Sequence, residues 1–128
     1  MRDLIDRWLE RFDLDAWLRD HVAVVFVGLP QPVRSDLMDD PSFLLCDYEP
    51  GPAVVMHVPL RLEGRGTPAR SVVLKRTLRR RPTEFVRYVI AHELAHAHLR
   101  NRGRWADDDP ERAADALAAE WGFPRPGN

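Results

Sequence analysis

The chain has 128 residues, 19 of them basic and 20 acidic, with a formal net charge of −1 and a hydrophobic content of 45 %; this is the size and makeup of one globular domain. No apolar run approaches the ~20 residues a bilayer-spanning helix needs, and the charged first ten residues do not read as a signal peptide. Cys46 is the sole cysteine, which excludes an internal disulfide and a cysteine-rich metal site and points to a reducing, cytoplasmic setting.

Charge is unevenly spread. Residues 61–104 carry 12 basic and 3 acidic side chains, whereas residues 1–60 carry 5 basic and 11 acidic. Such a basic middle segment is expected either as a solvated surface balanced by acidic neighbours or as a rim attracting acidic substrates or nucleic acid.

Residues 3–19 place Leu4, Ile5, Trp8, Leu9, Phe12 and Trp17 at helical spacing, which predicts one amphipathic helix. The run His21 to Gly28 is rich in valine and reads as a strand, ended by Pro30 and Pro32. Residues 33–42 are polar and read as a loop. Phe43–Tyr48 reads as a strand; the Glu49-Pro50-Gly51-Pro52 turn and the run Ala53–Val58 predict a hairpin. Ser71–Leu78 reads as a further strand.

Pro82 suits the first turn of a helix that runs through Phe85, Val86, Val89, Ile90, Leu94, Ala97 and Leu99, apolar nearly all round and therefore buried, with Gly103 as its stop. Asp109 as cap and Pro110 in the first turn open a last helix reaching Trp121, with Gly122 as its terminator. The expected architecture is α+β across a single domain, residues 1–128: an N-terminal helix, a small mixed sheet, a central helix and a closing helix.

The central helix carries His92-Glu93-Leu94-Ala95-His96, an H-E-x-x-H motif. Residues four apart on a helix are offset by about 40° and about 6 Å, so both imidazoles can reach one metal ion. Glu93 is then placed to take a proton from a metal-bound water. A catalytic zinc site needs a third protein ligand. Glu111 and Asp115 lie four apart on the last helix, among alanines that permit close approach. Glu111 is the favoured ligand, with Asp115 accepting a hydrogen bond from the far nitrogen of a ligand histidine. His98 lies about 200° from His96 around the helix and faces elsewhere. Tyr88, one turn before His92, and His57 are candidate donors to an oxyanion, although packing also explains each; His21 and Tyr48 are similarly open.

His92-Glu93-Leu94-Ala95-His96 followed by Glu111-Arg112-Ala113-Ala114-Asp115 resembles the gluzincin pattern, and the stretch from Ala114 to Phe123 is similar to the C-terminal helices of small intracellular zincins, including the ImmA/IrrE-like group. The resemblance covers about residues 71–123. It implies a minimal zincin-like fold and a zinc metallopeptidase with one Zn2+ per chain, in which His92, His96 and Glu111 are ligands, Glu93 is the general base and Asp115 supports a histidine. Ser71 to Trp105 is also similar to SprT-like and YgjP-like proteins. Those families place a third histidine after an asparagine; here Asn101 is followed by Arg102, which cannot ligate zinc while protonated.

The expected reaction is hydrolysis of a peptide bond in a peptide or protein substrate, held against an edge strand, either Ala53–Val58 or Ser71–Leu78. Two alternatives are a silent or latent zincin-fold interaction protein and a nucleic-acid-associated SprT-like protease.

Overall fold

In the computed structural model, residues 1–48, 70–101 and 110–127 are described. The fold they form is mixed α+β. Helices α1 (Arg2–Leu9), α2 (Ala16–Gly28) and α3 (Gln31–Met38) precede strand β1 (Leu44–Tyr48). Strand β2 (Ser71–Lys75), a 3-10 turn over Arg76–Arg80, and helices α4 (Thr83–Asn101) and α5 (Pro110–Glu120) follow.

The single helix expected over residues 3–19 is two. α1 stops at Leu9, and Asp15 begins α2 by accepting a hydrogen bond from the Trp17 amide at 3.2 Å. The Asp15 amide in turn donates to Asp47 Oδ2 at 2.7 Å, which ties the start of α2 to β1.

The strand expected from His21 to Gly28 is the body of α2. Leu18, His21, Val22, Ala23, Val25 and Phe26 are buried in it, and it packs against α1, α4 and the 3-10 turn. Valine costs a helix roughly 0.5 kcal/mol relative to alanine, whereas burying its side chain contributes about 1.5 kcal/mol or more. Packing therefore outweighs local preference. Most of the loop expected over residues 33–42 is taken up by α3, because Pro32 occupies the first turn of a helix rather than closing a strand. Val33 and Leu37 are its buried positions.

β1 and β2 are parallel, with Leu44 opposite Ser71 and Tyr48 opposite Lys75. A parallel register excludes a direct hairpin between them. The expected partner strand Ala53–Val58 lies outside the described residues, as do His57, Asn101's successor Arg102, Gly103 and Asp109. β2 is shorter than expected: the chain turns into the 3-10 segment at Arg76, and buried Leu78 anchors that segment to the core.

α4 is the central element and packs on α2, α3, α5 and β2. Its Val86, Ile90, Leu94 and Ala95 are fully buried, together with Ile5, Leu9, Leu18, Val22, Phe26, Leu37 and Leu45. Trp8, Phe12, Phe26 and Phe43 form an aromatic cluster, with ring centroids 5.0 to 6.1 Å apart. α5 ends as the sequence predicts. Gly122 has φ +97°, the Phe123 amide donates to the Ala118 carbonyl at 2.9 Å, and the Gly122 amide to Ala119 at 3.0 Å. The closure seats the Phe123 ring against Gly28 at the end of α2.

Candidate metal centre

α4 and α5 meet through small side chains. Ala91 and Ala95 on α4 and Ala114 and Ala118 on α5 are fully buried. With no bulk between them, the two backbones come close, and the first turn of α5 is brought over the H-E-x-x-H face.

Three donor groups converge there. His92 Nε2 lies 2.9 Å from Glu111 Oε1, His96 Nε2 lies 3.1 Å from Glu111 Oε2, and the two Nε2 atoms are 3.1 Å apart. Around a tetrahedral zinc, ligand atoms at about 2.0–2.1 Å from the metal stand about 3.3 Å from each other. The observed triangle is close to that size.

The protonation chemistry of the donor set points the same way. His92 Nδ1 lies 2.7 Å from Asp115 Oδ1, the contact expected for an Nδ1–H donor. A neutral imidazole has one such proton, so Nε2 presents a lone pair. That lone pair faces a Glu111 oxygen and a second imidazole nitrogen. With His96 Nε2 likewise unprotonated, three acceptors face one another, and a cation among them relieves the repulsion. A divalent cation fits the set of two imidazole nitrogens and one carboxylate, and His92, His96 and Glu111 are a group whose ligand atoms all lie within 4.8 Å.

Electrostatics reinforce the carboxylates. The two imidazoles beside it, His92 first and then His96, hold the Glu111 carboxyl below its usual range. Burial alone raises the Asp115 carboxyl, but hydrogen bonds from Tyr88 and His92 outweigh it and keep Asp115 ionised lower than usual. The Tyr88 hydroxyl donates to Asp115 Oδ1 at 2.5 Å. Burial and then this bond push the Tyr88 pKa up to about 12, so the phenol remains a donor. In this arrangement its proton is given to Asp115, on the side of His92 away from Glu111, and none is left for an oxyanion. Arg125 closes the far side, its guanidinium 3.8 Å from Asp115 Oδ2.

Glu93 is half-buried and lines a cavity of about 260 Å³ together with His96, Ala97, Pro110, Glu111, Arg70 and Ser71. The carboxylate expected as a base and two of the candidate ligands thus share one chamber.

His98 points away from this chamber, as its angle on the helix predicts, and is buried against Asp36, Nδ1 to Oδ2 at 2.8 Å. His21 lies beneath Trp17, ring centroids 4.8 Å apart, and accepts from Arg87 Nε at 3.2 Å. Burial, then the Arg87 charge, lowers its pKa and favours the neutral ring. It belongs to the packing of α2 on α4.

Arg70 was not singled out by sequence reasoning. It is 7 % exposed and donates to Asp40 Oδ2 at 2.9 Å, Asp36 Oδ2 at 3.0 Å, the Asp36 carbonyl at 3.0 Å and the Ala97 carbonyl at 3.3 Å. It thereby joins α3 to the turn of α4 that follows His96. Nothing in the sequence separates Arg70 from its many basic neighbours; only Asp36 and Asp40, one helical turn apart, hint at a buried cation.

Comparison of the chain with protein-family models, with curated proteins and with solved structures gives no match.

Proposed function

We propose that this chain is a zinc-dependent metallopeptidase. The observation that carries the reading is the convergence of His92, His96 and Glu111 on one point, with Asp115 on the outer nitrogen of His92 and Glu93 in the same cavity. His92, His96 and Glu111 would hold the metal. Bound there, zinc lowers the pKa of a water toward ~7 and polarises a carbonyl.

The chain's own residues supply the rest. Asp115 fixes the His92 ring and its tautomer, and Tyr88 fixes Asp115. Glu93 is the group that accepts the proton of the attacking water and delivers it to the leaving amine. No helix among the described residues is long and apolar enough to cross a membrane. A cytoplasmic setting belongs to the same proposal and rests on the free thiol of Cys46.

The test is elemental analysis of the purified protein, paired with digestion of an unstructured protein such as casein. One zinc per chain in the wild type, its loss in Glu111→Ala, and cleavage that disappears in zinc-replete Glu93→Gln are expected. Protein that takes up no zinc when it is supplied would refute the proposal.

A further inference from the structure

A second concavity opens on the other side of Glu93. It has a volume of about 510 Å³ and runs between β2, the 3-10 turn and the first half of α4. Its floor is apolar, built from Leu78, Phe85 and Val89. Its rim is cationic, carrying Lys75, Arg80 and Arg81, all exposed. Among the described lining residues Glu93 is the single carboxylate, and it sits at the end of the groove that adjoins the metal-ligand cavity.

The cations are held in place by local structure. Buried Leu78 pins the 3-10 turn, which projects Arg79 and Arg80 outward. Arg81 lies with its guanidinium carbon 4.0 Å from the centroid of the Phe85 ring. Stacking in this way occupies the face of the guanidinium and leaves its N–H edge free to grip an anion. Arg76, by contrast, is engaged by buried Asp47 at 3.2 Å. Among the described residues no carboxylate pairs with Lys75, Arg80 or Arg81 within 4.0 Å.

We propose that this groove binds an extended acidic peptide segment, with an apolar side chain on the Leu78–Phe85–Val89 floor and carboxylates at Arg80 and Arg81. The inference rests on the metallopeptidase reading for its meaning, since it names the substrate class of that site. Charge complementarity selects the occupant, and the apolar floor beside a strand suits a peptide. Spacing makes the proposal specific. Phe85 and Glu93 are eight residues apart on α4, which is about 12 Å along the axis at 1.5 Å per residue. An extended chain covers that distance in three to four residues at about 3.3 Å each. Arg81 lies over Phe85, so an acidic side chain held by Arg81 stands three or four residues from the bond placed at Glu93.

The experiment uses fluorescein-labelled peptides of twelve residues with a central Ala-Leu, carrying two Glu three and four residues from the centre on one side or the other. Matched peptides carry Gln or Lys instead. Fluorescence anisotropy with the full chain, first in chelator and then with zinc, reads binding; mass spectrometry of the zinc samples reads cleavage. Expected is binding of one Glu peptide at least fivefold tighter than its Gln counterpart, weakened by salt. In the double variant Arg80→Gln/Arg81→Gln the preference disappears, so that Glu and Gln peptides bind alike, while circular dichroism stays as in the wild type. Both arginines are exposed, so the variant retains the fold.

Equal binding of Glu, Gln and Lys peptides, or no binding at all, overturns the inference. So does a twelve-nucleotide single strand of DNA that binds more tightly than the Glu peptide and displaces it. Cleavage without charge preference leaves the peptidase standing and the acidic-groove inference refuted. A charge preference with cleavage of neither these peptides nor casein does the reverse: the groove stands and the peptidase reading falls.

Discussion

His92 is gripped from both ends: Nδ1 lies 2.7 Å from Asp115 Oδ1, while Nε2 lies 2.9 Å from Glu111 Oε1. Both carboxylates come from α5, one helical turn apart, so one short helix sets the direction of the ring and also closes the donor triangle. Asp115 is itself ordered by the Tyr88 hydroxyl at 2.5 Å. The order of dependence runs Tyr88, Asp115, His92, and on to any metal that His92 would hold.

That order predicts graded losses. Asp115→Ala should lower zinc affinity about 10- to 100-fold, the usual effect of removing the carboxylate behind a ligand histidine. Tyr88→Phe removes one hydrogen bond to Asp115 but leaves the carboxylate, and should cost less than Asp115→Ala. Competition against a chromophoric zinc chelator measures both. Affinities equal to the wild type in Asp115→Ala would show that the His92 ring is held by something else.

Ligand and base should separate cleanly. Glu111 is largely exposed, its side chain 71 % accessible, so Glu111→Ala should leave the apo thermal midpoint nearly unchanged while abolishing the stabilisation that added zinc gives. Glu93→Gln should keep that stabilisation and lose at least a hundredfold in cleavage rate, the scale of general-base catalysis. A Glu93→Gln protein that no longer binds zinc would make Glu93 a ligand instead of a base.

The two C-terminal helices, β1 and the helical state of residues 3–9 were legible in the sequence, whereas α2 and α3 were not, for one physical reason. α4 and α5 carry signals that act locally: Pro82 and Pro110 at their starts, Gly122 at the end, and an i, i+4 histidine pair that only a helix brings together. α2 carries none that survive comparison with its valines. Its helical state is set by burial between α1 and α4, a long-range effect that period and propensity do not register. Asp15, the residue that starts it, looks like one more charge in an amphipathic run. The site follows the same division. His92, Glu93, His96, Glu111 and Asp115 could be picked out by spacing. Arg70 and the Arg81–Phe85 stack could not, because their meaning lies in what the fold brings against them.

Acid should weaken the α3–α4 junction in a defined window. Burial raises the Asp36 carboxyl, but hydrogen bonds from His98 and Arg70 more than offset it and hold the folded value below the ordinary one; Asp40 is lowered likewise, its burial outweighed by Ser42 and Arg70. A carboxylate with a depressed folded pKa contributes stability that is fully present above its unfolded value, about 3.9, and is lost as pH falls through the folded value. Asp36→Asn should therefore be less stable than the wild type by about 2 kcal/mol at pH 7, the scale of charge-assisted hydrogen bonds to a buried group. The gap should shrink steadily below pH 4. Urea unfolding at pH 7, 4 and 3 reads it. A gap that stays constant with pH would mean that the substitution acts through packing alone.

The closeness of α4 and α5 is the condition for the site, and it can be tested apart from any ligand. Ala114 is fully buried and lies on α5 between Glu111 and Asp115, facing α4. Ala114→Leu forces extra bulk into that contact and should destabilise the fold by about 1–3 kcal/mol. It should also push Glu111 and Asp115 away from the histidines and weaken zinc binding in the protein that remains folded. Ala116, two residues on, is exposed. Ala116→Leu should change stability by no more than about 0.5 kcal/mol and leave zinc affinity as it is. The pair holds helix, residue type and added volume constant and varies only the face. If Ala114→Leu bound zinc as tightly as Ala116→Leu, the spacing of the two helices would not be what assembles the ligands.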